Sequence, residues 1–434
     1  MYDVTAGEDE FADTVWNSGN KGLPTQPLLQ KVAGALYMLT KNQTYTEAAK
    51  MAGIGDTTMK TFFARWIPWL RQTQTPKHVY LPKGDHLKMI LNIYAQMGFP
   101  GAVCSTDGTH ILWSSCPSKW KWIHVGEKKF PSRVYNISVG PNTEVFHVPA
   151  ASFPGRTNDK TGARTHELLM GLHQRTLYQD VEFTLYNAEG NKYTEHGLYS
   201  LTDGGYHMWR CMQFPAKCVT PGTMRARQSK RLESIRKDSE CCFGRSLKGR
   251  CRLLGDKVRL RSINMIDDCV HVACMIHNMM LRHDRLDTIG ALESHWMQAD
   301  LQRDEERIRL GACAGVGSQV DMLPENGVQA EVDPEWAVLR DKLITHFGVA
   351  WRKRELRWRK TAQVLGRGVA GEHAAFTASR GYRDRSGAIF HPDKPEGWDD
   401  SVGEEEQVAG AEGEVEEVEE VEEEEEDVEE AGID

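Results

Sequence analysis

The stretch Ala102-Val103-Cys104-Ser105-Thr106-Asp107-Gly108-Thr109-His110-Ile111-Leu112-Trp113 decides how this chain is read. It is a strand-like apolar run that carries an acidic residue next to a glycine. Two further acidic residues stand in related settings. Asp203, in Leu201-Thr202-Asp203-Gly204-Gly205-Tyr206, also lies where a short apolar run meets glycine. Glu240, in Lys237-Asp238-Ser239-Glu240-Cys241-Cys242-Phe243-Gly244, falls on a helix crowded with Arg and Lys. Widely spaced carboxylates beside a basic surface suggest divalent-metal and phosphate chemistry. Hard cations take oxygen ligands, and two of them can clamp the attacking and leaving oxygens of a phosphodiester.

Outward from that stretch the pattern alternates. Residues 102–113, 133–139 and 145–153 read as three strands, residues 166–176 as an amphipathic helix, and residues 181–186 and 198–202 as further strands. Residues 225–252 and 265–281 read as long helices. This order is α/β or α+β, and the imperfect alternation along the strands suits a partly buried mixed sheet flanked by helices. On the helix around Glu240, Leu232, Ile235, Ser239, Cys242 and Phe243 form the apolar stripe. Both Glu240 and Glu233 border it, and periodicity leaves the choice between them open.

The N-terminal side is helical. Leu28, Leu29, Val32, Leu36 and Leu39 recur at helical spacing, a second helix is expected at residues 46–52, and Asp56 or Thr57 is expected to cap a third that runs through Trp69. Ala49, Gly53 and Met59 have the small–Gly–apolar spacing of a helix-turn-helix. Residues 28–70 are expected as a compact three-helix unit separate from the sheet domain, with Lys60 and Arg65 facing outward for DNA. Residues 84–97 add another helix.

Length and composition set the frame. A chain of 434 residues has room for two or three domains, and 40% hydrophobic residues with twelve Trp fit a globular protein. No run of eighteen apolar residues predicts a spanning helix, and Met1-Tyr2-Asp3-Val4 does not resemble a signal peptide. Ten Cys without framework spacing read as reduced thiols of a nuclear or cytosolic protein. The net charge of −9 averages two unlike pieces. Residues 401–434 hold eighteen Asp and Glu and no Lys or Arg; the remaining 53 Lys and Arg face 44 Asp and Glu, so residues 1–400 carry +9. Between residues 225 and 261 there are thirteen Lys/Arg and four Asp/Glu. Such a stripe is the footprint of a phosphate-binding face, and its candidates are Arg225, Arg227, Lys230, Arg231, Arg236, Lys237, Arg245 and Lys248. The competing reading is a solvated helix face.

Other motifs carry less. Lys119-Trp120-Lys121-Trp122 offers stacking on an unpaired base, against the blander reading of packing in a loop. Cys269, His271, Cys274 and His277 suggest zinc, but one helix cannot wrap four ligands tetrahedrally, so buried core residues are expected. The basic segment 351–360 reads as a nuclear localisation signal, a DNA contact or a solvated helix. Neither a Walker A pattern nor a G-x-S-x-G elbow is present, which argues against a nucleoside triphosphatase or a serine hydrolase.

In order and spacing, several pieces resemble the PIF/Harbinger transposases, in particular the branch of plant transposon proteins. They are Asp107-Gly108-Thr109-His110, Cys116-Pro117-Ser118-Lys119-Trp120, Phe153-Pro154-Gly155-Arg156-Thr157-Asn158-Asp159, Leu201-Thr202-Asp203-Gly204-Gly205-Tyr206, the segment from Arg236 to Gly244, and Ile276-His277-Asn278-Met279. The likeness runs from about residue 30 to about residue 285. It implies an RNase H-like catalytic domain with a DDE triad of Asp107, Asp203 and Glu240. These would bind two Mg²⁺ or Mn²⁺ ions for phosphoryl transfer on DNA, as a metal-dependent endonuclease and transposase. The usual Arg or Ala after the glutamate is replaced by Cys241-Cys242. Asp159 is expected to serve as a turn cap or helix N-cap. The resemblance further implies transposon ends and target as DNA partners, a Myb-like accessory protein, a homo-oligomer on DNA, a nuclear location and no membrane contact. A domesticated or inactive DNA-binding descendant is the alternative; a protein-interaction module acting through the acidic tail is a weaker one. The expected organisation is a disordered N-terminus (1–25), a helix-turn-helix-like domain (26–75), the nuclease domain (76–285), a mixed helical and loop region (286–400) and a disordered acidic tail (401–434).

Overall fold

Residues 1–6, 26–126, 129–216, 219–220, 222–288, 296–298 and 331–359 are described by the structure, a computed structural model. The N-terminal part holds α1 (Tyr2–Ala6), α2 (Leu28–Lys41), α3 (Tyr45–Ala52), α4 (Asp56–Trp69) and α5 (Thr75–His78). A capping box opens α3: the Glu47 N–H donates to Thr44 Oγ1, and the Thr44 N–H donates to the Glu47 carboxylate at 3.0 Å. Gly53 closes it at φ 67°, a left-handed turn that glycine makes without steric cost. Gly34 lets α2 lie close to α4, because a Cβ there would stand 2.6 Å from Met59 Sδ. The expected cap of α4 by Asp56 or Thr57 is not made. Gly55 is the N-cap, and the Asp56 carboxylate accepts from Thr46 Oγ1 at 2.6 Å, which ties the starts of α3 and α4 together. Pro68 lies inside α4, and the chain continues as a π-helical turn at Leu70–Gln74.

Two expectations for this part are corrected. Residues 2–6, expected within a disordered N-terminus, form α1, whose buried Thr5 accepts from the Trp66 indole at 3.0 Å; residues 7–25 lie outside the described residues. The three helices are present but not separate. Phe63, Trp66, Ile67 and Leu70 share one continuous apolar core with Ile111 and Trp113 of the sheet domain and with Ile266 and Val270. Three short helices bury too little surface to stand alone, so their apolar faces close against a neighbour.

Next come α6 (Gly84–Gln96), β1 (Ala102–Leu112), α7 (Lys121–His124), β2 (Ser132–Val139), β3 (Val145–His147), β4 (Phe153–Pro154), α8 (Asp159–Ala163) and α9 (Glu167–His173). They are followed by β5 (Glu182–Tyr186), β6 (Lys192–His196), β7 (Tyr199–Leu201), β8 (Met212–Gln213), α10 (Met224–Cys241), α11 (Arg252–Gly255) and α12 (Ile263–His283). Last are β9 (Trp296–Gln298), α13 (Pro334–Arg352) and β10 (Arg357–Arg359). The main sheet has the order β3-β2-β1-β7-β8, with β4 also paired to β2. β1 is antiparallel to β2 and parallel to β7, so the sheet is mixed. Residues 145–153 do not make one strand: Pro149 cannot donate to a ladder, and the run divides into β3 and β4. The strand expected at 181–186 pairs with β6 in a separate hairpin.

Helices flank both faces of the sheet. Ile111, Tyr135, Ile137 and Val139 pack toward α12, whereas Val103, Cys104, Tyr199 and Leu201 share a second core with residues of α6, α9 and α13. The apolar stripe expected around Glu240 is buried at all five positions. After α10 the helix rewinds as a π-helical segment at Cys242–Lys248. Within the expected 286–400 region, Leu339, Leu343 and Phe347 of α13 are buried in the second core, as are Trp351, Leu356 and Trp358 of the basic segment. Residues 360–434, with the acidic tail, lie outside the described residues. No helix among the described residues is long and apolar enough to cross a membrane.

Asn278 on α12 joins the layers. Its Oδ1 accepts from the Val145 N–H at 2.9 Å, and its Nδ2 donates to the Val145 carbonyl at 2.7 Å and the His78 carbonyl at 2.9 Å. Asn278→Ala would leave both Val145 backbone groups buried and unpaired. The expected cost is about 3 kcal/mol, read as a lower urea midpoint with an unchanged slope. A midpoint equal to that of the wild type would contradict this role.

Candidate active site

The mixed sheet places two of the three carboxylates side by side. Ser105 of β1 is in parallel register with Leu201 of β7, so Asp107 and Asp203, two residues further along each chain, come at the same level. Each folds back on a glycine: Asp107 Oδ1 accepts from the Gly108 N–H at 2.9 Å, and Asp203 Oδ1 accepts from the Gly205 N–H at 2.8 Å. α10 supplies the rest. Arg236 Nη1 donates to Asp107 Oδ2 at 2.9 Å, while its Nη2 lies 3.5 Å from Glu240 Oε1, one helical turn along. One guanidinium thus stands between Asp107 and Glu240.

The electrostatics show the same grouping. Burial pushes the Asp107 carboxyl up to about 6; Arg236 and the Gly108 N–H oppose this, while the charges of Asp203 and Glu240 add to it. Periodicity alone left Glu233 and Glu240 open; both are exposed, and it is Glu240 that shares Arg236 with Asp107. Among the described residues, no three His, Cys, Asp or Glu side chains close around one point tightly enough to hold a metal as they stand. The donor set nonetheless fits a hard divalent cation. It consists of carboxylate oxygens, burial raises the Asp107 carboxyl, and a cationic guanidinium already bridges two of the three.

Asp159 is not the cap that its motif suggested. Asn158 caps α8, its Oδ1 accepting from the Thr161 N–H at 2.8 Å. Asp159 instead reaches both strands of the site. A Cβ on Gly108 would lie 3.1 Å from Asp159 Oδ1, and one on Gly205 would lie 3.2 Å from Asp159 Oδ2. The signal was in the sequence: Asn158 serves as a cap as well as Asp159 does. Tyr206 was missed altogether. It is 1% exposed, and burial together with the charges of Asp159, Asp107 and Asp203 raises its phenol well above the usual range.

The basic candidates divide. Lys60, Arg65, Lys119, Lys121, Arg225, Lys230 and Lys237 are exposed, and Lys248 is half-buried. Arg236 is engaged by the carboxylates. Arg227 and Arg231 lie over the rings of Trp351 and Trp358, at 5.5 Å and 3.0 Å from the ring centroids, so the structure gives them a packing role instead of an open cationic face. The side chain of Arg245 lies outside the described residues. In the Lys119–Trp122 motif, Trp120 and Trp122 are 40% and 68% exposed, with Lys119 Nζ 5.0 Å from the Trp120 ring. The zinc motif is core, as expected. His271 and His277 donate to the carbonyls of Pro149 and Thr143, and burial holds both rings down at about 4.

Residues 77–288 match the family model described as plant transposon protein. That span contains Asp107, Asp159, Asp203 and Glu240, and ends just after α12. Comparison with curated proteins and with solved structures finds no match. Over that span the chain is similar to plant transposon proteins, and the match supports a transposon-derived protein.

Proposed function

We propose that this protein is a transposase-type DNA nuclease that cuts and joins transposon DNA with divalent metal, on an RNase H-like sheet. One observation carries the reading: within the matched span, Asp107 on a strand pairs with Arg236, which also reaches Glu240 on a helix, and Asp107 feels the charges of both Glu240 and Asp203, the latter at a strand end. In this reading they would hold Mg²⁺ or Mn²⁺, with two ions in the working site. Bound metal supplies Lewis acidity for in-line attack at phosphorus. Arg236 keeps Asp107 and Glu240 turned toward each other before a cation arrives. Lys119, Lys121 and Lys237 would take flanking phosphates, and the exposed indoles of Trp120 and Trp122 would stack on an unpaired base. The reading extends to transposon ends and target as DNA partners, a second copy of the chain on DNA, a Myb-like accessory protein and a nuclear location.

The test is incubation of the full chain with duplexes carrying the cognate transposon ends, in Mg²⁺, Mn²⁺ or EDTA. Breaks at the element boundary that require metal are the expected result. DNA binding without cleavage in either metal would refute nuclease activity and leave a transposase-derived DNA-binding protein.

For the N-terminal helices we propose a DNA contact through α4. Lys60→Ala and Arg65→Ala should each weaken duplex binding at low salt and lower the slope of log affinity against log salt by about one. Unchanged affinity and slope in both would make the three helices purely structural.

A further inference from the structure

We propose that Asp159 is a fourth carboxylate of this site, and that with Asp203 it holds a divalent cation in the space beside Gly205. The inference rests on the metal-dependent reading above and adds a residue to it. Asp159 is placed by α8, whose cap duty belongs to Asn158, so helix initiation does not account for the aspartate. Its two oxygens face opposite strands of the site, Oδ1 toward Gly108 beside Asp107 and Oδ2 toward Gly205 beyond Asp203.

The glycines show what the space is for. A Cβ on Gly205 would lie 3.1 Å from Asp203 Oδ1 and 3.2 Å from Asp159 Oδ2; one on Gly108 would lie 3.1 Å from Asp159 Oδ1 and 3.2 Å from Asn136 Oδ1. Neither glycine is among those with positive φ, so the backbone does not demand glycine at either position. What both positions spare is room between oxygens.

The lining supplies an independent observation. The Tyr206 hydroxyl and both amide atoms of Asn136 have no hydrogen-bond partner among the described residues, although each side chain is only 1% exposed. Buried polar groups left unpaired are costly, and native structures satisfy nearly all of them. Asn136 lies against Gly108 and Gly162, and Tyr206 follows Gly205 and senses the charges of Asp159, Asp107 and Asp203. Two carboxylates beside Gly205, an amide oxygen beside Gly108 and the buried phenol of Tyr206, unpartnered among the described residues, match the needs of a small, hard cation. Mg²⁺ and Mn²⁺ need only one or two carboxylates and keep several waters, which such polar groups can hold. A cation there would also offset the repulsion between Asp159 and Asp203.

The test is calorimetric titration of the full chain with Mn²⁺ alone, using the wild type, Asp159→Asn, Gly205→Ala and Asp203→Asn, each checked for folding by circular dichroism. Asp159→Asn and Gly205→Ala should each weaken Mn²⁺ binding by about 10- to 100-fold. Wild-type affinity in Asp159→Asn, with binding lost in Asp203→Asn, would overturn the fourth ligand and leave the proposed function standing. If the wild type itself bound no Mn²⁺, both readings would fall. Should Asp159→Asn not fold, Gly205→Ala decides, since it adds one methyl group to the same space; wild-type affinity there overturns the proposal.

Discussion

Asp107→Asn should reduce metal-dependent DNA cleavage by about 1,000-fold or more, with the chain still folded and still binding DNA. The substitution keeps the size and one acceptor oxygen, so the hydrogen bond from the Gly108 N–H can persist. It removes the charge that Asp203, Glu240 and Arg236 all act on. With Oδ1 still held by the Gly108 N–H, the amide N–H₂ faces Arg236 in place of Oδ2, so the metal-free protein should fold but melt at a lower temperature than the wild type. Single-turnover cleavage of an end-bearing duplex checks the first claim and calorimetry the second. Cleavage at the wild-type rate would remove Asp107 from the chemistry.

The second large effect is expected at a crossing of two backbones. A Cβ on Gly155 would lie 2.2 Å from Ser132 Oγ and 2.4 Å from the His124 carbonyl, and one on Gly126 would lie 2.2 Å from the Gly155 carbonyl. Backbone atoms cannot swing aside as the tip of a side chain can. Gly155→Ala should therefore cost about 3 kcal/mol, read as a lower urea midpoint. The same crossing ties α7 and the 3-10 turn before it, which bear the exposed Trp122 and Trp120, to the chain leading into Asp159. A folded Gly155→Ala protein should thus also bind single-stranded DNA more weakly. An unchanged midpoint would mean that the two segments do not pack as described.

What the sequence made legible was largely local. The long strand around Asp107 was readable because apolar runs at Ala102-Val103-Cys104 and Ile111-Leu112-Trp113 flank the β-branched Thr106 and Thr109, and the buried stripe of α10 because Leu232, Ile235, Ser239, Cys242 and Phe243 recur at helical spacing. Residues 145–153 were misread as one strand although Pro149 was in view, since a single ladder-breaking residue is easily outvoted by its apolar neighbours. Long-range facts were hidden. Nothing near Arg227 and Arg231 indicates that Trp351 and Trp358 lie beneath them, so two packing arginines read as part of a DNA face. Glu240 could not be chosen over Glu233 by periodicity, because the choice depends on Arg236 reaching Asp107 from another element. Asp159 looked like a cap because capping is the commonest use of an aspartate after a turn. The N-terminal helices were legible as helices but not as part of a shared core, which only the packing of Phe63, Trp66 and Ile67 against α12 reveals.

In the proposed function, Asp107, Asp203 and Glu240 meet at a divalent-metal site. The most direct measurement is Fe²⁺-directed hydroxyl-radical cleavage of the polypeptide itself, mapped by mass spectrometry, with Fe²⁺ standing in for Mg²⁺. Breaks clustered near Asp107, near Asp203 and near Glu240, suppressed by excess Mg²⁺ and absent from Asp203→Asn, are the predicted result. Breaks confined to other acidic positions, or a pattern at these three that survives Asp203→Asn, would contradict it.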